Sequence, residues 1–159
     1  MKKTAIILLV LTLLFLFVAC DAHSDELQLG GTATFYDVEY RTPELYVFDS
    51  TQSKEDFVVY ERGWHDKLLL MSRSDVTQDP ARLHLEKYAN NMKKVGAEYC
   101  EFIEFKGGEA VLAKYIADDK NCIEVYFIHG NSKYAIAMRG ETEENFNTFI
   151  NSVELTPLS

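Results

Sequence analysis

From Tyr99 to Arg139 the chain alternates β-rich stretches with turn signals at Gly107-Gly108, Asp118–Asn121 and Gly130-Asn131. Turn residues at hairpin spacing predict a four-stranded antiparallel meander. Because strand side chains alternate with period two, a register can be tested by the faces it creates. With Lys106 facing Glu109, Ile103 faces Leu112. With Ala117 facing Cys122, Leu112 faces Phe127, and with His129 facing Ser132, Phe127 faces Tyr134. One face then gathers Ile103, Leu112, Phe127 and Tyr134 with Ile116, Ile123, Val125, Ile136 and Met138, and Glu101 sits across from Lys114. The opposite face mixes Phe102, Val111, Ala113, Tyr115, Tyr126 and Ile128 with Glu104, Glu124 and Lys133, a composition that requires partial cover by another layer.

Two helices flank the meander. Asp79 as N-cap and Pro80 at the first helical position open one of them. Ala81, Leu85, Tyr88, Met92 and Val95 supply its apolar stripe, Lys93 and Lys94 suit its C-terminal dipole, and Gly96 stops it. The second runs near Glu141–Val153, capped by Thr142, with Phe146, Phe149, Ile150 and Val153 on one side. Four shorter β-type segments, Phe35–Tyr40, Leu45–Asp49, Phe57–Arg62 and Leu68–Ser72, precede the first helix. The order is that of an α+β domain, an antiparallel sheet of about six to eight strands with two main helices packed on it.

The helix DPARLHLEKYANNMKKVG, the meander GGEAVLAKYIADDKNCIEVYFIHGNSKYAIAMRG and the closing ETEENFNTFINSVEL together resemble the PsbP-like fold. That resemblance implies an α/β/α sandwich. Its relatives include a photosystem subunit, a nuclear-import factor and bacterial lipoproteins of the DcrB-like group. The work they share is binding or assembly without a common catalytic centre, so no functional residue is carried over.

The N-terminus addresses the chain. Lys2 and Lys3 precede an uncharged run from Ala5 to Val18, which ends at Ala19-Cys20. A spanning helix needs about twenty apolar residues, and this run has the length of a signal-peptide core. Phe17-Val18-Ala19-Cys20 resembles a lipobox, with Phe17 where leucine is usual. The resemblance implies cleavage between Ala19 and Cys20, a diacylglyceryl group on the Cys20 thiol, and attachment to the extracytoplasmic face of the cell membrane. An uncleaved signal anchor, or a secreted protein with an incidental Cys20, are the alternatives. Asp21 would act as an inner-membrane retention signal in a double-membraned bacterium and carries no such meaning in a single-membraned one. The expected organisation is a signal peptide over 1–19, a lipidated cysteine and flexible tether over 20–34, and one domain over 35–159.

The 159-residue chain has a formal net charge of −9, and loss of Lys2 and Lys3 with the leader makes the remainder more acidic still. Such a body is repelled by nucleic acid and by anionic membrane surfaces, so any attachment falls to the lipid. Cys100 and Cys122 lie two strands apart and two residues out of step in the expected register, about 11–12 Å between Cα atoms and beyond disulfide reach. No cysteine or histidine spacing matches a metal site, and no cofactor or metal is expected. His84 and Glu86 are two apart on a helix and share no face. Glu141, Glu143 and Glu144 read as solvated carboxylates at a helix start. Glu61-Arg62-Gly63-Trp64-His65-Asp66 places the only tryptophan at a hairpin tip beside arginine, which makes Trp64, Arg62 and His65 candidate partner-binding residues. The alternative has Trp64 folded back over the helix.

The functional expectation is a non-catalytic binding or assembly module whose partner is another envelope protein. A carrier of small apolar ligands, with a pocket between sheet and helix lined by Tyr88, Tyr115 and Tyr126, is the second reading. An envelope hydrolase is the third and would need a nucleophile–base pair.

Overall fold

A computed structural model describes residues 26–63, 66–76 and 78–157. Ten strands and two helices follow in the order β1 (Leu29–Phe35), β2 (Val38–Pro43), β3 (Val47–Phe48), β4 (Phe57–Arg62), β5 (Lys67–Asp75), α1 (Ala81–Lys94), β6 (Tyr99–Phe105), β7 (Gly108–Ala117), β8 (Lys120–His129), β9 (Ser132–Arg139), α2 (Glu143–Asn151) and β10 (Glu154–Leu155). Seven strands form one antiparallel sheet in the order β3-β4-β5-β9-β8-β7-β6, and β1-β2-β10 form a second, smaller sheet. The α+β class and the helices packed on an antiparallel sheet are as expected.

The meander forms with its faces as expected and its first two registers shifted. Ile103 pairs with Ala110 rather than Leu112, and Leu112 with Val125 rather than Phe127; Phe127 does pair with Tyr134. The cause is turn chemistry. Lys106 (φ 50°) and Gly107 (φ 79°) make a two-residue loop, and Asp118 (φ 50°) and Asp119 (φ 59°) make another. Positive φ at both central residues is the type I′ geometry that matches strand twist. Centring the first turn on Gly107-Gly108 misplaces it by one residue, which moves the pairing by two and leaves every side chain on its correct face. Glu101 therefore faces Leu112, while Lys114 lies opposite Tyr99 and pairs with Glu143 at 2.7 Å.

The principal core lies between the first face of the large sheet and a layer made by β1, β2 and α2. Phe127, Tyr134, Ile136, Met138, Leu69 and Met71 meet Val38, Tyr40, Phe146 and Phe149 there. Ile116, assigned to the same face, is half exposed near the sheet's end. The second face is covered by α1, whose Leu85 and Ala89 pack on Val111 with Tyr88, Tyr126 and Ile128 beside them. His84 is buried with them, whereas Ala81 and Val95 at the ends of the expected stripe are exposed. Asp79 does not cap α1. Pro80 occupies the cap position, and the Asp79 carboxylate accepts instead from Lys87 Nζ at 2.7 Å.

The N-terminal half departs most from expectation. Tyr36 at φ 55° breaks the segment read as one strand over Phe35–Tyr40 into a hairpin, with Phe35 pairing Val38. Leu45 at φ 67° leaves only Val47–Phe48 of the next segment as strand, and Asp49 ends it by accepting from the backbone and hydroxyl of Thr51. Residues 29–34, read as tether, are strand β1, and Leu27 is 3% exposed within the core.

Candidate interaction surface

Gly140 turns the chain from β9 into α2 at φ 76°, and its N–H donates to Asn121 O at 2.8 Å. A Cβ there would collide with the Asp66 carbonyl oxygen, so the turn lies directly on the β4–β5 connection. Thr142 caps α2, its hydroxyl accepting from Asn145 N. Glu141 thus stands one residue outside the helix, at the position whose side chain folds inward against the first turn. It is 4% exposed, which corrects its reading as a solvated carboxylate. Tyr46 Oη donates to its Oε1 at 2.8 Å, Asn145 Nδ2 to its Oε2 at 2.7 Å, and Lys67 Nζ to Oε2 at 3.3 Å. Arg62 Nη1 lies 3.8 Å from Oε1. Burial, with the neighbouring Glu141 carboxylate, pushes the Tyr46 phenol well above its usual range. A carboxylate wrapped by that many donors is spent on holding four segments together.

The same network ties down the start of the folded chain. Leu27 N donates to Asn145 Oδ1 at 2.9 Å, and Glu44 N donates to Gln28 O at 2.7 Å. Beside this entry point, Tyr46 N closes a turn onto Pro43 O at 3.3 Å with Leu45 as its third residue. A positive φ at that place ordinarily belongs to glycine, and leucine there costs about 1–2 kcal/mol. Leu45 and Val47 are each 70% exposed and Phe48 is 49% exposed, with its ring edge-on to Tyr60 at 5.5 Å. The next strand over, β4, ends at Arg62, opposite this turn.

Of the residues singled out in the sequence, Arg62 is placed in the Glu141 network, where its guanidinium is engaged inside the fold. Trp64, His65, Ala19 and Cys20 lie outside the described residues. The tyrosines do not line a pocket as a group. Tyr88 stacks on Tyr126 with centroids 4.1 Å apart and planes 3° apart, which fills the space between α1 and the sheet. Tyr115 Oη donates to Glu124 Oε2 at 2.6 Å beside a cavity of about 120 Å³ lined by Phe57, Leu70, Ser72, Ala135 and Ala137. Small-molecule sites usually start near 300 Å³. Burial pushes the Tyr88 and Tyr115 phenols upward, with the Glu124 charge adding to it.

Cys100 and Cys122 are free. Their β7 partners, Ala113 and Tyr115, are two residues apart, so the separation inferred from sequence survives the corrected register. Burial raises both thiols above their ordinary value. Among the described residues no group of three or more His, Cys, Asp or Glu side chains is placed to hold a metal ion, and no helix is long and apolar enough to cross a membrane.

A seven-stranded antiparallel sheet with one helix on its second face, and a helix and small sheet on its first, is the PsbP-like architecture. The solution structure of cyanobacterial PsbP (CyanoP) from Synechocystis sp. PCC 6803 superposes with a TM-score of 0.54 at 13% identity, covering 85% of this chain and 95% of that one. A crystal structure from Bacteroides thetaiotaomicron VPI-5482 is similar at a TM-score of 0.53 and 8% identity, covering 82% of this chain and 50% of that one. No family model matches the chain, and no curated protein matches it in sequence. At these identities the likeness is one of fold.

The missed element was Glu141. Its signal was available: a glycine-led turn and a threonine cap leave the intervening glutamate outside the helix, where the dipole argument does not apply to it.

Proposed function

We propose that the chain is a lipoprotein, anchored through Cys20 to the extracytoplasmic face of the cell membrane, whose PsbP-like domain is a non-catalytic binding or assembly module of the envelope. The observation that carries this is the spacing between address and body. The lysine–apolar–Val18-Ala19-Cys20 sequence is followed, only seven residues after the cysteine, by Leu27 buried in the core. Six residues lie between Cys20 and Leu27, fewer than the tether over 20–34 expected from composition. The use of polar groups supports the non-catalytic part. Glu141 is saturated by donors, and Glu124 accepts from a phenol whose proton is held tightly. Neither is placed as a base beside a nucleophile.

Cys20→Ala tests the anchor. The expected outcome is release of the domain from the membrane fraction or accumulation of a precursor that retains residues 1–19. A variant processed and fractionated like wild type sinks the reading.

A further inference from the structure

We propose that Leu45 and Val47 form an apolar foot that rests on the lipid bilayer at the end of the domain that carries Gln28. This rests on the lipid-anchor reading above and adds the orientation of the body.

Residues 28 and 29 lie beside this patch: Gln28 O takes the N–H of Glu44, and Leu29 pairs with Pro43. Gln28 is eight positions on from Cys20, a reach of at most about 28 Å. The end of the molecule carrying residues 28, 43–47 and 62 is thereby the end nearest the anchor, while the turns at Lys106-Gly107 and Gly130-Asn131 lie at the far end of the sheet. On the near end stand two aliphatic side chains, each 70% exposed, on a turn and a two-residue edge strand, while the next residue, Phe48, turns to the opposite face against Tyr60. The positive φ of Leu45 turns an apolar side chain outward where glycine would be cheaper, and strain kept at an exposed site points to a use for it. Apolar side chains held at the acyl boundary by a nearby anchor need little affinity of their own.

The surrounding charges fix the kind of surface. Glu44 precedes Leu45 in the turn, Glu61 lies opposite Val47, and Arg62 faces the buried Glu141. An acidic rim is repelled by anionic headgroups, so the foot contacts the bilayer through its apolar side chains and gains nothing from added anionic lipid.

The test uses full-length, lipidated protein in phosphatidylcholine vesicles. In a Cys100→Ala background, an environment-sensitive fluorophore is placed on Val47→Cys and, separately, on exposed Asn131→Cys at the far end. The expected result is blue-shifted emission at 47, quenched by headgroup-level nitroxide lipids and unchanged by added phosphatidylglycerol, with a water-exposed probe at 131. Intact mass read on the same samples separates the two claims. Protein that carries the diacylglyceryl mass while its probe at 47 stays in water overturns the foot alone; protein that lacks that mass overturns foot and anchor together. A shift at 47 seen in native membranes and lost in lipid-only vesicles assigns the patch to a protein partner and also overturns the foot.

Discussion

At the scale of single residues, stability where α2 meets the β4–β5 connection depends on Glu141. Its two oxygens take donors from Asn145, four residues on, and from two segments distant in sequence, through Tyr46 and Lys67. Leucine fills a similar volume and removes every acceptor. It strands the Tyr46 hydroxyl in the interior and leaves the Lys67 ammonium without its buried counter-charge. Glu141→Leu should cost about 2–4 kcal/mol, read as a lower urea midpoint with unchanged slope. Glu141→Gln keeps the shape and one acceptor and should cost less than half of that. Loss of an exposed carboxylate such as its neighbour Glu144 would move the midpoint little.

Among the elements, the joint between β9 and α2 is the most exacting. Gly140 needs both a positive φ and the space that a Cβ would take from the Asp66 carbonyl. Gly140→Ala should therefore destabilise by about 2–4 kcal/mol, or prevent folding where the background is marginal, as measured by thermal unfolding. The helices show how far local rules reach. Thr142 caps α2 as its sequence requires, because the cap and the N–H that donates to it are three residues apart. Asp79 has the right chemistry for α1 and is drawn away by Lys87, eight residues on, a competition that no cap rule contains. The apolar stripe of α1 is likewise rotated. Its helical length is legible from Pro80 to Gly96, but the buried set includes His84 and Ala89 because the sheet surface under it is shaped by Val111 and Tyr126.

Over the whole molecule, burial of phenols links stability to alkaline pH. Tyr40, Tyr46, Tyr88 and Tyr115 all hold their protons more tightly in the fold than at the ordinary phenol value of 10.0, chiefly through burial. A group raised on folding contributes its full stability below the unfolded value and loses it as pH climbs through and beyond that value. Urea midpoints should stay flat on this account from neutrality to about pH 9 and fall steeply above about pH 10. A midpoint unchanged at about pH 11 would show that these phenols ionise in the folded state.

The sequence by itself determined the class of fold, the meander's faces, both helices and the separation of the two cysteines. These follow from signals that are local or periodic: turn residues, period-two and period-3.6 patterns. An error of two in register leaves faces intact, which is why Cys100 and Cys122 stay apart under either pairing. The tertiary structure alone decided what depends on segments far apart in the chain. It turned residues 29–34 from tether into strand by pairing them with β2, and closed the space between Tyr88 and Tyr126. It also drew Glu141 inward to meet Tyr46 and Lys67, and set Leu45 beside the entry of the chain. Hydrogen-bond partners ninety-five residues apart, such as Tyr46 and Glu141, leave no periodic trace. Only packing brings them together, and only their meeting joins α2 to the β2–β3 turn.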